Sequence, residues 1–279
     1  MPVERIRQIQ RYSAKGNQDP QLSKDHVAVE EPLEIQINGE PLAVIMRTPG
    51  NDLELTAGLL LTEELIHQSD DLLTLEHCRD PEVPNAGNII KVKLTEDCLE
   101  RIKLNNHTDK MKRTFLTSTS CGVCGKQSIE SLHASSPPLH QFESIIIEEI
   151  VQFPEKMKAH QTLFETTGGI HAAALFDESG NLLVLREDVG RHNAVDKCIG
   201  SLVLTEQLPL KNLSLMVSGR TSFEIVQKAL VARIGTVAAV SAPSSLAIEL
   251  AKESRINLFG FVRGSDLNIY ASANLENQA

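Results

Sequence analysis

The chain has 279 residues, 41% of them hydrophobic and 23% charged, with no Trp. This balance describes a folded globular protein with a substantial core, long enough for one large or two moderate domains, and excludes a disordered or fibrous chain. A formal charge of −10 argues against the basic face that duplex nucleic acid requires, and no apolar run approaches the roughly 20 residues of a bilayer-crossing helix, so neither partner is expected.

The opening MPVERIRQIQRYSAKG intersperses charge with aliphatic residues and contains no signal-peptide core, so a cytoplasmic location is expected. Residues 1–28 are polar with little periodicity and are read as a flexible arm. LEIQINGEPLAVIMRTP alternates apolar and polar residues around Asn38-Gly39, a hairpin signal, with Pro41 confining the return strand to an edge. In NDLELTAGLLLTEELIHQ, Leu53, Ala57, Leu60, Leu61 and Leu65 share one stripe, which predicts an amphipathic helix capped by Asn51 or Asp52. NIIKVKL reads as a strand and TEDCLERIKL as a short helix with Thr95 at its cap.

From Asn105 to Ser120 periodicity is lost, and TSTSCGVCGK follows in a loop at a helix start. The prolines of SSPPLHQF mark a boundary. The expected organisation is an amino-terminal α+β domain over 29–143, with a mobile cysteine loop at about 105–125, and an α/β domain over 144–279. In the latter a helical region around Pro154 precedes the strand pair IHAAALFD and NLLVLRED. Strands and helices then alternate, and the apolar strands read as a largely parallel sheet covered by helices, a three-layer α/β arrangement. Such sheets gather ligands at strand carboxyl ends, which puts REDVGRHN, VSGRTS and SAPSS on one rim.

Five cysteines form a poor disulfide framework, and Cys78, Cys98 and Cys198, each isolated, read as packing residues. Cys121 and Cys124 admit several chemistries. A structural zinc site lacks a second knuckle of suitable spacing, while a thioredoxin-like redox pair lacks its βαβ setting. Sulfur carriage needs a mobile, nucleophilic thiolate. Gly122 and Gly125 supply backbone freedom, and Ser118, Thr119, Ser120 and Lys126 favour an anionic sulfur. Adjacent thiols with no shared role are a further alternative.

On the rim, His192 follows Gly190 and Arg191 at a helix start, where an imidazole can meet a ligand or act as a base. Asp188, Arg191 and Asp196 read equally as a ligand site or as a surface charge network. Arg220, Thr221 and Ser222 offer a weak phosphate-binding pattern. His171 reads as a ligand or as a strand-end structural histidine, and Arg263 as a ligand group or as part of an ordinary strand-to-turn transition.

STSCGVCGK, TGGIHAAAL, LREDVGRHNAVDK, VSGRTSFEIVQKA and LFGFVRG, in this order, resemble the FdhD/NarQ family of formate dehydrogenase accessory proteins. The resemblance implies a cytidine deaminase-like carboxy-terminal domain. It also implies transfer of sulfur from a cysteine desulfurase to the bis(molybdopterin guanine dinucleotide) molybdenum cofactor before insertion into formate dehydrogenase. Cys121 matches the persulfide-bearing cysteine and Cys124 the auxiliary one. Gly260, Phe261, Val262, Arg263, Gly264 and Ser265 match the proposed cofactor-binding stretch, joined by Arg191, His192, Arg220 and Thr221 as a guanine nucleotide site. The cofactor is expected to bind transiently, with guanine nucleotides as mimics, and a homodimer is expected from related folds. RHNAVDK and GRTSFEI lack the H-x-E and P-C-x-x-C of zinc deaminases, so no metal is expected. A dithiol oxidoreductase, or a cofactor-binding chaperone without sulfur transfer, is the alternative function.

Overall fold

The computed structural model describes residues 2–11, 20–104 and 129–273. β1 (Glu4–Arg11) and β2 (Gln21–Ala28) pair antiparallel as a two-stranded ribbon. The stretch 1–28, read from its sequence as a flexible arm, thus carries two paired strands. Most of their side chains are exposed, so the ribbon rests on backbone pairing and on the Arg5–Glu31 ion pair at 2.6 Å rather than on an alternating apolar stripe.

β3 (Glu31–Ile37) and β4 (Glu40–Arg47) form the expected hairpin, with Asn38 and Gly39 at φ 50° and 88° in the turn. β5 (Leu72–His77) and β6 (Ile89–Leu94) complete a four-stranded sheet of order β4-β3-β6-β5, which leaves β4 on an edge, where Pro41 is tolerated. α1 (Asp52–Thr62) differs from its expected form. It is buried on nearly every side from Leu55 to Thr62 instead of along one stripe, because helices of the other half cover the side turned away from this sheet. Neither expected residue caps it. Asn51 is left-handed at φ 57° without a side-chain cap bond, and Asp52 instead takes two hydrogen bonds from buried Arg47, at 2.9 and 3.0 Å. α2 (Glu96–Leu104) is capped as expected, the Cys98 amide donating to Thr95 Oγ1 at 3.3 Å.

α3 (Ile129–Ser135), α4 (Ile147–Ile150), α5 (Phe153–Lys158, with Pro154 in its first turn) and α6 (Thr162–Thr167) lead to the second sheet. Its strands are β7 (His171–Phe176), β8 (Leu182–Asp188), β9 (Ser214–Val217), β10 (Thr236–Ala239), β11 (Asn257–Arg263) and β12 (Asp266–Ala271), in the order β12-β11-β10-β9-β7-β8. β9, β10 and β11 run parallel, while β7, β8 and β12 are antiparallel to their neighbours. The sheet is thus mixed rather than largely parallel. The short β7–β8 and β11–β12 turns, closed at Gly180 and Gly264 with φ 73° and 57°, can join only antiparallel strands.

α7 (Arg191–Val203), α8 (Phe223–Val231) and α9 (Ser245–Ser254) cover one face of this sheet, packing on Ala173, Leu175, Leu215 and Val237. Alternate residues Ala172, Ala174 and Phe176 face the other way onto α4 and α5, where Phe153 stacks on Phe176 at 3.9 Å. The expected three layers are present. The larger core cluster runs without interruption from the first sheet through α1 and α7 into the second sheet.

Candidate functional site

The amino ends of α7, α8 and α9 meet the carboxyl ends of β8, β9 and β10 on one rim, as the strand order requires when β7 and β8 run against their neighbours. His171 opens β7 opposite Asp188, the last residue of β8. Gly219 lies against the imidazole, where a Cβ would stand 3.5 Å from His171 Nδ1. Two residues after Asp188 the chain enters α7 with Arg191 and His192. His192 Nε2 is 3.3 Å from Ser222 Oγ and 4.0 Å from a Glu224 carboxylate oxygen, both at the start of α8. Thr221 is bound into the β9–α8 turn: its amide donates to Ala242 O at 3.2 Å, and its carbonyl accepts from Ser244 N at 3.0 Å. Its hydroxyl, with the residue only 1% exposed, has no partner among the described residues, and neither has the buried Arg191 Nε. Unfilled donors of this kind suit an oxygen-rich ligand.

The histidines are held neutral. Burial pushes His192 down to about 4, helped by the Lys228 and Arg191 cations and opposed by Glu224. Burial and Arg191 lower His171 as well, against Asp188. At neutral pH these rings accept or donate hydrogen bonds without adding positive charge, so attraction for anions falls to the arginines and the helix starts.

At the other end of the rim, a register shift between Gly260 and Arg263 turns Phe261 outward, 39% exposed at φ 53°, its amide donating to Ser241 O at 3.2 Å. Gly260 is required here, because a Cβ would lie 2.9 Å from the Tyr270 ring and 3.0 Å from Pro243. Arg263 Nε donates to Val240 O at 3.1 Å, and its guanidinium lies over Phe261, 5.9 Å from the ring centre. Val262 points into the core, so of Gly260–Ser265 it presents no side chain to a ligand. Arg220 is exposed between the two ends.

Asp188 and Asp196 belong neither to a ligand surface nor to a surface charge network. Asp188, itself fully buried, accepts from Thr48 N, Gly190 N and Asn193 Nδ2 and pairs with buried Lys197 at 2.7 Å. Asp196 pairs with Lys228 at 2.9 Å and accepts from Thr62 Oγ1. The first pair anchors the α7 start and so fixes where Arg191 and His192 stand. Sequence reasoning passed over Glu224. Its only signal was its place two residues after Ser222 in TSFEI, at a helix start on the rim.

Cys78, Cys98 and Cys198 are buried free thiols, as expected of packing residues. Burial pushes Cys98 up to about 11 and Cys198 to about 12, which makes both poor nucleophiles. Cys121 and Cys124 lie outside the described residues. Among the described residues, no three His, Cys, Asp or Glu side chains are grouped as metal ligands would be. A cavity of about 280 Å³ lies at the opposite end of the sheet, beside Ser214 and Thr236. Glu143, Glu149, Asp177 and Glu178 line it, so it repels the anions that the rim attracts.

The chain matches the FdhD/NarQ family over residues 28–275, nearly its whole length. The chain belongs to the FdhD/NarQ family. It is 44% identical to the sulfur carrier protein FdhD of Streptomyces coelicolor over 89% of this chain and 88% of that one. It is 43% identical to the sulfur carrier protein FdhD of Sulfolobus acidocaldarius, over 89% and 90%. A crystal structure from Desulfotalea psychrophila, described as a formate dehydrogenase accessory protein, superposes with a TM-score of 0.73 over 98% of this chain and 99% of that one, at 23% identity. That likeness shows the FdhD/NarQ fold in a more distant chain. No helix among the described residues is long and apolar enough to cross a membrane.

Proposed function

We propose that this chain is a sulfur carrier serving formate dehydrogenase. In this reading the Cys121 thiolate attacks the outer sulfur of a cysteine desulfurase persulfide. The donor's S–S bond breaks, the donor cysteine leaves as a thiolate, and Cys121 keeps the transferred sulfur as its own persulfide. Cys124 assists. The acceptor is the molybdenum centre of bis(molybdopterin guanine dinucleotide), bound transiently on the rim by Arg191, His192, Arg220, Thr221 and the Gly260–Ser265 hairpin before insertion into formate dehydrogenase. A homodimer acting in the cytoplasm completes the proposal.

The observation that carries it is 44% identity, along almost the whole chain, to proteins named as sulfur carriers. The rim supports it physically, because arginines, helix starts and a buried hydroxyl without a partner among the described residues suit phosphates and ring substituents better than they suit any metal. The chain incubated with a cysteine desulfurase and cysteine should gain the mass of one sulfur atom on the peptide containing Cys121. Cys121→Ser should abolish that gain and formate dehydrogenase activation together, whereas sulfur uptake by Cys121→Ser would remove the carrier assignment. A dithiol oxidoreductase would instead cycle a Cys121–Cys124 disulfide and fail equally with either cysteine replaced. For the rim, Arg220→Ala and Arg263→Ala should each weaken guanine nucleotide binding about tenfold in calorimetry, as expected for a lost charged hydrogen bond. Unchanged affinity would exclude both arginines from the site.

A further inference from the structure

Glu224 is a carboxylate in a site otherwise suited to anions. Its side chain is 25% exposed, in the first turn of α8, and His192 Nε2 lies 4.0 Å from its carboxylate, beyond hydrogen-bonding distance. No described residue donates a hydrogen bond to it. The cations nearby are committed elsewhere or held apart from it. Lys228, one turn further along α8, is bound by Asp196 at 2.9 Å and Thr62 at 2.8 Å, with Glu63 at 3.6 Å. Burial, then Lys228, Arg191 and His171, disfavours a charge on His192, which therefore does not neutralise Glu224 at neutral pH. Three residues before it, the Thr221 hydroxyl is buried without a partner among the described residues.

A carboxylate three-quarters removed from water and lacking donors among the described residues is costly to leave unfilled, and in a phosphate site it also repels the ligand. Both costs vanish if the ligand brings N–H donors to this spot. We propose, resting on the cofactor reading above, that Glu224 accepts hydrogen bonds from a 2-amino-4-oxopyrimidine edge. This is the ring N–H and adjacent exocyclic amine that guanine and pterin share, and Glu224 thereby selects which heterocycle the rim admits. Two parallel N–H donors match the two carboxylate oxygens, the geometry that makes bidentate pairs strong and specific. Adenine places a ring acceptor beside its amine and would set a lone pair against the carboxylate. Arg220, exposed beyond Thr221, is left for phosphate.

Isothermal titration of the full chain with GDP, ADP and neopterin tests this, using the wild type, Glu224→Gln and Glu224→Ala, each checked for wild-type circular dichroism. The wild type should prefer GDP to ADP by about tenfold or more, the scale of a hydrogen-bonded charged pair. Both variants should lose that preference through weaker GDP binding, with ADP binding unchanged or tighter. Selective loss of GDP assigns the edge to guanine, and selective loss of neopterin assigns it to pterin; either outcome sustains the role of Glu224. Wild-type affinity of both variants for GDP and neopterin would overturn the role of Glu224 while leaving the nucleotide site intact. A wild-type chain that binds neither ligand would remove the site itself, and the role of Glu224 with it.

Discussion

His192 shows how the rim shapes a single residue. Buried beside Arg191 and near Lys228, its ring resists protonation until about pH 4, while in the unfolded chain it titrates near its ordinary value of 6.5. Between these values the unfolded state binds a proton that the folded state does not, so stability falls as the pH drops through that window and is insensitive to this ring above it. His171, lowered by burial and Arg191, acts in the same direction. Replacing His192 by Gln should therefore flatten the dependence of Tm on pH between about 6.5 and 4 in scanning calorimetry. A slope as steep as the wild type's would assign the effect to other groups. That His192 belongs to a site was legible in RHNAVDK, because a histidine at a helix start is a local pattern. Its neutrality was not, because the burial that chiefly causes it, and the Lys228 charge that adds to it, come from other segments of the chain.

At the scale of elements, the crossing of α1 over α7 sets how the two halves meet. Gly58 lies against the Asp196 carbonyl and Gly200 against the Glu54 carbonyl, and a Cβ at either glycine would overlap backbone that has no free rotamer to yield. Gly58→Ala and Gly200→Ala should each destabilise the chain by about 3 kcal/mol, the upper range for overpacking, despite the better helix propensity of alanine. Urea denaturation measures this, and a neutral or stabilising effect would mean that the helices separate at little cost. The Arg186–Glu54 ion pair, 2.5 Å from Nε, ties the flank of the same crossing to β8. Helix periodicity revealed α1 and its neighbours, whereas the all-round burial of α1 depends on α7, about 140 residues away in sequence. The β1–β2 ribbon was missed for the opposite reason: backbone pairing without a buried face leaves no periodic trace in the side chains.

Across the whole molecule, Lys228 on α8 joins Asp196 on α7 and Thr62 at the end of α1 inside the core. Burial opposes the charge on Lys228, but Asp196 and Glu63 raise its pKa above the ordinary value, so it stays protonated. Lys228→Met should cost about 3–5 kcal/mol in urea denaturation by leaving Asp196 buried without a counter-charge. A Lys228→Met, Asp196→Leu double variant should regain most of that loss, and failure to regain it would mean that the pair specifies the packing as well as balancing charge. The sequence by itself determined the Asn38-Gly39 hairpin, the strand and helix alternation of the carboxy-terminal half, the packing role of the isolated cysteines and the motifs that mark the family. Each of these is written in turn chemistry, periodicity or spacing within a short stretch. Only the tertiary structure decided that Asp188 and Asp196 are internal braces, that β7 and β12 run against the other four strands of the sheet, and that Glu224 stands beside His192. Burial, charge pairing and the absence of a partner depend on neighbours, and here those neighbours come from segments far apart in the chain.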